Sequence, residues 1–128
     1  MKRKLITSVL VLLGAVIISA TYLIATASTK LEKLVGMPIS DVDLSTLADG
    51  NYIGSYTILP ISVKVAVTVT DRNITDITLL KHFNGQGAGA DIIPDKVTEA
   101  QSLNVDIVSG ATYSSKIILM AIRDALSH

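Results

Sequence analysis

Residues Leu5 to Ala27 carry no charged side chain, and this one stretch divides the chain into two physical regimes. At a helical rise of about 1.5 Å per residue it reaches across a hydrocarbon layer of about 30 Å. The basic triplet Lys2-Arg3-Lys4 stands in front of it, and basic residues flanking an apolar helix stay on the cytoplasmic side. The sequence therefore predicts a cytoplasmic N-terminus over residues 1–4, a transmembrane anchor over 5–27 and an extracytoplasmic remainder, the arrangement of a single-pass protein of the cell membrane. Ala25-Thr26-Ala27 also fits the small-residue pattern of a signal-peptide cleavage site, which offers a secreted alternative. The apolar run exceeds the roughly 7 to 15 residues of a signal peptide's apolar segment, which favours an uncleaved anchor.

The rest of the composition narrows the function. Eleven basic residues balance eleven acidic ones across 128 residues, so no basic excess points to nucleic acid. Zero cysteine removes disulfides, thiolate catalysis, thiolate metal sites and a lipidated cysteine. No Ser-His-Asp hydrolase pattern, phosphate-binding P-loop or glycosidase acid pair is present, and the one internal histidine, His82, has no second histidine near it with which to build a metal site.

After the anchor, residues 28–48 read as a tether. Leu31, Leu34 and Val35 have helical spacing, Gly36 and Pro38 end the run, and Ser40 to Ser45 is polar and acidic. A domain over residues 49–128 begins at Asp49-Gly50. Tyr52 to Leu59 is a first strand, stopped by Pro60. Ile61, Val63, Val65, Val67 and Val69 then alternate with Ser62, Lys64, Ala66, Thr68 and Thr70, the pattern of a half-buried strand with its valines toward the core. Asp71-Arg72-Asn73 makes a turn and Ile74 to Lys81 returns as a third strand, with Ile77 and Leu79 on one face. Pro94 fits the first turn of a short helix running to about Ser102. A final helix over Lys116 to Leu126 places Ile118, Ala121, Ile122 and Ala125 on one face and Lys116 and Arg123 on the other. The fold class is α+β: a small antiparallel β-meander sheet packed by two helices, preceded by one N-terminal transmembrane helix.

Chemistry concentrates in Asp106-Ile107-Val108-Ser109-Gly110-Ala111-Thr112, followed by Tyr113-Ser114-Ser115 and the last helix. Hydroxyls here stand where a helix begins, and unsatisfied N–H groups with the aligned peptide dipoles favour a phosphate at such an end. Gly110 allows a sharp turn and a close approach to the backbone. The plain alternative is that Ser109, Thr112 or Ser114 merely caps the helix. Asp106 has its own plain alternative as a solvated turn residue.

At these residues the chain resembles the FMN-binding domain family, whose pattern is an acidic residue, two variable positions, Ser or Thr, and then Gly-Ala-Thr. Leu47-Ala48-Asp49-Gly50-Asn51-Tyr52 resembles the family's first strand, His82-Phe83-Asn84-Gly85-Gln86-Gly87 its glycine-rich loop, and Glu99-Ala100-Gln101-Ser102-Leu103 the stretch before the motif. The resemblance implies FMN joined by a phosphoester to the hydroxyl of Thr112, with Ser109, Gly110, Ala111 and Tyr113 around the attachment point and Gly85 and Gly87 near the flavin. It further implies a separate FAD:protein FMN transferase as a partner and a need for Asp106 during modification. A carboxylate beside a phosphate repels it unless a cation bridges them, so magnesium is expected there transiently, in the transferase complex and not in the finished protein. Subunits of the Rnf and sodium-translocating NADH:quinone oxidoreductase complexes share the domain.

Two nearby features are ambiguous. Gly85-Gln86-Gly87-Ala88-Gly89 fails the dinucleotide-binding fingerprint, because Ala90 stands at the third glycine position; it reads as a mobile connection or, through the resemblance, as a loop near the flavin. His82, at a strand end, reads as an exposed side chain, with a proton relay or a donor to a flavin carbonyl as the alternative. Phe83, Tyr56 and Tyr113 are candidates to pack on the ring, although with one Phe and four Tyr in the chain most aromatics belong to the core.

The expected function is that of a membrane-anchored electron carrier relaying electrons through FMN on Thr112 between membrane or extracytoplasmic donor and acceptor proteins, with membrane lipid around the anchor and no catalytic residue of its own. Two alternatives stand beside it: a flavin-dependent reductase of a small acceptor such as a quinone or ferric complex, and a flavin-free anchored interaction module.

Overall fold

The computed structural model describes residues 1–83 and 88–127. Helix α1 spans Lys2–Gly36. Most of its uncharged part stands clear of the rest of the protein, with Leu10 and Ile17 more than half exposed, and the helix is long and apolar enough to cross a membrane. A helix of this kind near the N-terminus is either an anchor or a signal sequence. Helical structure continues past Ala27 through the stretch expected as a tether and stops at Gly36, ahead of Pro38. Leu34 is buried at 1% exposure, with Leu31 half-buried on the same core, so the end of α1 is docked on the domain.

Three strands follow: β1 (Gly50–Ile58), β2 (Ile61–Thr70) and β3 (Asn73–Phe83). They form one antiparallel sheet in the order β1-β2-β3, the expected meander. The alternation in β2 works as read: Ile61, Val63, Val65, Val67 and Val69 are all buried in the core, which a period of two places on one face. Ile74 is buried, while Ile77 and Leu79 pack half-buried against the core. β3 runs two residues beyond Lys81 because its pairing with β2 continues through His82 and Phe83. The turn expected at Asp71-Arg72-Asn73 uses left-handed backbone at Asp71 (φ 51) and Arg72 (φ 62), as a two-residue hairpin loop requires.

A 3-10 helix over Ala88–Ile92 leads into α2 (Ile93–Ala100), with Pro94 in its first turn. The helix ends two residues before Ser102 because Gln101 turns into the left-handed region (φ 52). The Gln101 amide there bonds both backbone groups of Ile74: Oε1 accepts from the N–H and Nε2 donates to the C=O, each at 2.7 Å. One side chain thus fastens α2 to strand β3.

Helix α3 (Thr112–Leu126) covers the sheet. Its buried set includes the expected Ile118, Ala121, Ile122 and Ala125, together with Ile117 and Leu119. This wider apolar face is covered from several sides, since α3 contacts β1, β2, α2, the 3-10 helix and α1. Gly54 on β1 is where strand and helix come closest. A Cβ at this position would lie 2.3 Å from the Ala121 carbonyl oxygen and 2.3 Å from the Ala125 nitrogen, so only glycine fits. Asp124 fixes the same approach by accepting from the Ser55 N–H at 3.0 Å.

Candidate functional site

The segment from Asp106 to Ala111 is irregular and carries the chain into α3. Asp106, Ser109 and Gly110 are exposed, Ala111 is buried, Thr112 is half-buried and Tyr113 is 39% exposed. Gly110 has φ 81, a backbone conformation that costs other residues free energy but not glycine. Nothing lies within 4 Å of where its Cβ would be. The glycine is therefore required by the turn, and the space beside it is open to a ligand.

None of the motif's hydroxyls plays the capping role. The N-cap of α3 is Ala111, with no side-chain cap hydrogen bond, and Thr112 is the first helical residue. Its hydroxyl has no hydrogen-bond partner among the described residues. The loop is instead closed from below by Ser115, fully buried, whose Oγ accepts from the Val108 N–H at 3.3 Å, while the Ala111 N–H donates to the Val108 carbonyl at 3.0 Å. The sequence alone places Ser115 just ahead of a last helix starting at Lys116; α3 begins four residues earlier, at Thr112, and Ser115, one turn into it and facing back to the loop, takes this role. The first-turn N–H groups of α3 have no intrahelical acceptors, and with the helix dipole they make the Thr112 end electropositive.

Asp106 presents its carboxylate to solvent, and its backbone carbonyl accepts from Lys96 Nζ at 3.4 Å. The sequence brings Asp106, Ser109, Gly110, Ala111, Thr112 and Tyr113 together simply by contiguity, and the fold keeps them on one exposed loop and helix start. Gly85 and Gly87 lie outside the described residues, as does the side chain of Phe83. Tyr56 packs half-buried against the core, whereas Tyr113 remains available at the helix start.

His82 corrects the expectation of an exposed side chain. Only 8% of it is exposed, and Nδ1 pairs with Asp91 Oδ1 at 2.5 Å. Its Nε2 is buried with no hydrogen-bond partner among the described residues. Leaving such a group unsatisfied costs about 1–3 kcal/mol, so this is a position that a ligand atom would fit. The pair belongs to the site's neighbourhood through the 3-10 helix that carries Asp91: this helix contacts α3, and a Cβ on its Gly89 would lie 3.6 Å from Val108 Cγ1, at the motif loop. By contrast, the cleft between Tyr56 and Met120, Arg123, Asp124 and Ser127 lies at the far end of α3 and includes none of the motif.

The FMN-binding domain family matches this chain over residues 59–127, more than half its length. The chain belongs to the FMN-binding domain family. The match takes in the motif loop, Thr112 and the His82–Asp91 pair, and begins at the hairpin after β1. Within this FMN-binding domain, the open turn at Gly110, together with the Thr112 hydroxyl and His82 Nε2, which have no hydrogen-bond partner among the described residues, suits a flavin nucleotide. The domain is also 40% identical over 65 residues to a urocanate reductase of Eggerthella lenta, an alignment covering 48% of this chain and 11% of that protein. The chain thus spans about a tenth of the length of that relative.

Proposed function

We propose that this protein is a membrane-anchored, extracytoplasmic electron carrier whose FMN is esterified through its phosphate to Thr112. The observation that supports the attachment is the state of Thr112 itself: a half-buried residue whose hydroxyl makes no capping bond, at the electropositive start of α3 and next to the open turn at Gly110. Bound FMN supplies one- and two-electron redox chemistry. The chain's own residues hold and orient it. The α3 N-terminus receives the phosphate, Gly110 keeps the approach clear, Ser115 holds the loop in place from beneath, and Tyr113 offers an exposed ring beside the attachment point. A separate FAD:protein FMN transferase would deliver FMN from FAD: the Thr112 oxygen bonds the FMN phosphorus as the pyrophosphate bond breaks, AMP leaves and the hydroxyl proton is released. Asp106 would serve that delivery, its carboxylate helping to hold a magnesium ion that would offset the charge of the incoming phosphate.

His82 supplies a group of different character. With Nδ1–H donated to the Asp91 carboxylate, Nε2 carries a lone pair when the ring is neutral and a proton when it is charged. It is therefore suited to follow the protonation of a reduced flavin, a relay more than a fixed donor. The kinship with one tenth of a urocanate reductase supports electron delivery to a partner protein, since in that relative the domain accompanies a far larger remainder.

The test is co-expression with a transferase. Wild-type protein acquires fluorescent flavin that survives denaturing electrophoresis, remains with membranes after an alkaline wash, and is cut by protease added outside intact cells. Flavin that washes away on denaturation overturns the attachment, and protection from external protease overturns the topology.

A further inference from the structure

The β1–β2 hairpin ends in Leu59 and Pro60, and Leu59 is 71% exposed. An isolated exposed leucine needs no explanation, but the placement of this one does. Leu59 and Ile58 line a cleft with Leu23, Ala27 and Lys30 of α1, and Thr26 and Ala27 are the only half-buried residues of that part of the helix. The hairpin tip therefore lies beside the last turns of the uncharged run, in a cleft that reaches the first charge after it, Lys30. Leu23 precedes Lys30 by about 10 Å along the helix axis.

The run from Leu5 to Ala27 is roughly 34 Å long as a helix, against a hydrocarbon thickness of about 30 Å. If α1 spans the bilayer, Leu23 to Ala27 stands at the outer edge of the hydrocarbon, and Leu59 stands there with it. Lys30 and Lys33 line the adjoining cleft with Tyr56 and Ile58, one to two turns further out, where phosphate groups are found and where long basic side chains reach their charge out of apolar surroundings.

We propose that the hairpin tip at Leu59 is a second membrane contact, inserted in the outer interface of the bilayer that holds α1, with Lys30 and Lys33 beside the lipid phosphates. The inference rests on the anchor reading of α1. With α1 already docked on the domain, a second contact limits the tilt of the docked unit against the bilayer, and so holds the motif loop at a constant height above the membrane for its redox partners.

The chain contains no tryptophan, so each introduced one reports alone. Leu59→Trp, Tyr22→Trp within the uncharged run and Ile53→Trp, exposed on the same strand away from the tip, are made in the full chain and reconstituted in vesicles of phosphatidylcholine and phosphatidylglycerol, with and without brominated acyl chains. Leu59 and Tyr22 are both largely exposed, so neither replacement disturbs the core. The expected result is quenching by brominated lipid for Leu59→Trp and Tyr22→Trp, with blue-shifted emission, and none for Ile53→Trp. Quenching of Tyr22→Trp with Leu59→Trp behaving like Ile53→Trp overturns the hairpin contact and leaves the anchor standing. Absence of quenching in Tyr22→Trp refutes the anchor, and the hairpin contact with it.

Discussion

His82 Nδ1 lies 2.5 Å from Asp91 Oδ1, across a connection of eight residues, and the other ring nitrogen is buried without a partner among the described residues. A histidine retained only for packing would have both nitrogens satisfied or one in water. The orphan nitrogen instead implies a stability cost carried by the flavin-free domain. His82→Leu should therefore leave the unmodified domain as stable as wild type or up to about 1–3 kcal/mol more stable, since it removes the unsatisfied group. In the flavin-loaded protein the same change should flatten the pH dependence of the midpoint potential. Chemical denaturation and redox titration read the two effects separately. A large loss of stability with an unchanged potential would assign His82 a purely structural role.

Gly54 gives the sharpest packing prediction. A methyl group at this position has nowhere to go, because the atoms it meets are backbone atoms of Ala121 and Ala125. Gly54→Ala should cost about 1–3 kcal/mol by forcing α3 away from the sheet. Gly36→Ala, with nothing within 4 Å of its Cβ, is the control and should change stability little. The two thermal unfolding curves decide the matter.

Asp41 predicts a pH dependence. Its carboxylate loses some hydration on folding, which pushes its pKa up, but hydrogen bonds from the Ser102 hydroxyl and the Leu103 and Val42 N–H groups outweigh this and hold it below the ordinary value. A depressed folded pKa adds stability that is complete above the unfolded value of about 3.9 and lost as the pH falls toward the folded value. Asp41→Asn should therefore be less stable than wild type at neutral pH, by an amount reduced by the group's exposure to solvent. The difference should shrink as the pH drops below about 4. A gap that stays constant down to strong acid would show that the charge contributes nothing.

Thr112 separates chemistry from shape. Thr112→Val keeps the branched side chain and deletes the oxygen, and Thr112→Ser keeps the oxygen and deletes a methyl. Because Ala111, not Thr112, holds the N-cap position, the unmodified Val and Ser proteins should unfold within about 1 kcal/mol of each other, less than the loss of a strong cap. Covalent flavin should vanish in Val and persist in part in Ser. The unmodified forms must be compared with wild type made without the transferase, since bound flavin stabilises whichever sample carries it.

The parts of this protein that were readable in advance are those written in local periodicity. The valines of β2 and the apolar face of α3 declare themselves through spacing, and the motif loop is a contiguous string. What escaped the sequence depends on partners far along the chain. Asp41 reaches Ser102 and Leu103, and Gln101 clamps Ile74. Gly54 looks like any strand glycine until α3 is laid against it. His82 was misread for the same reason: a lone histidine at a strand end gives no hint that Asp91, delivered by an unforeseen 3-10 helix, will cover it. Within the motif, the sequence could place hydroxyls at a helix start but not say whether one of them caps it. The answer rests on which residue begins the helix, and Ala111 takes the N-cap position.

The central claim is covalent attachment at one oxygen, and intact mass of the membrane-extracted protein, made with a transferase and then fragmented, tests it most directly. The account predicts a mass above that of the polypeptide by one FMN less one water, with fragment ions placing the addition on Thr112. An unmodified mass from a preparation in which another flavinylated protein is fully loaded, or an addition on Ser109 or Ser114, would contradict it.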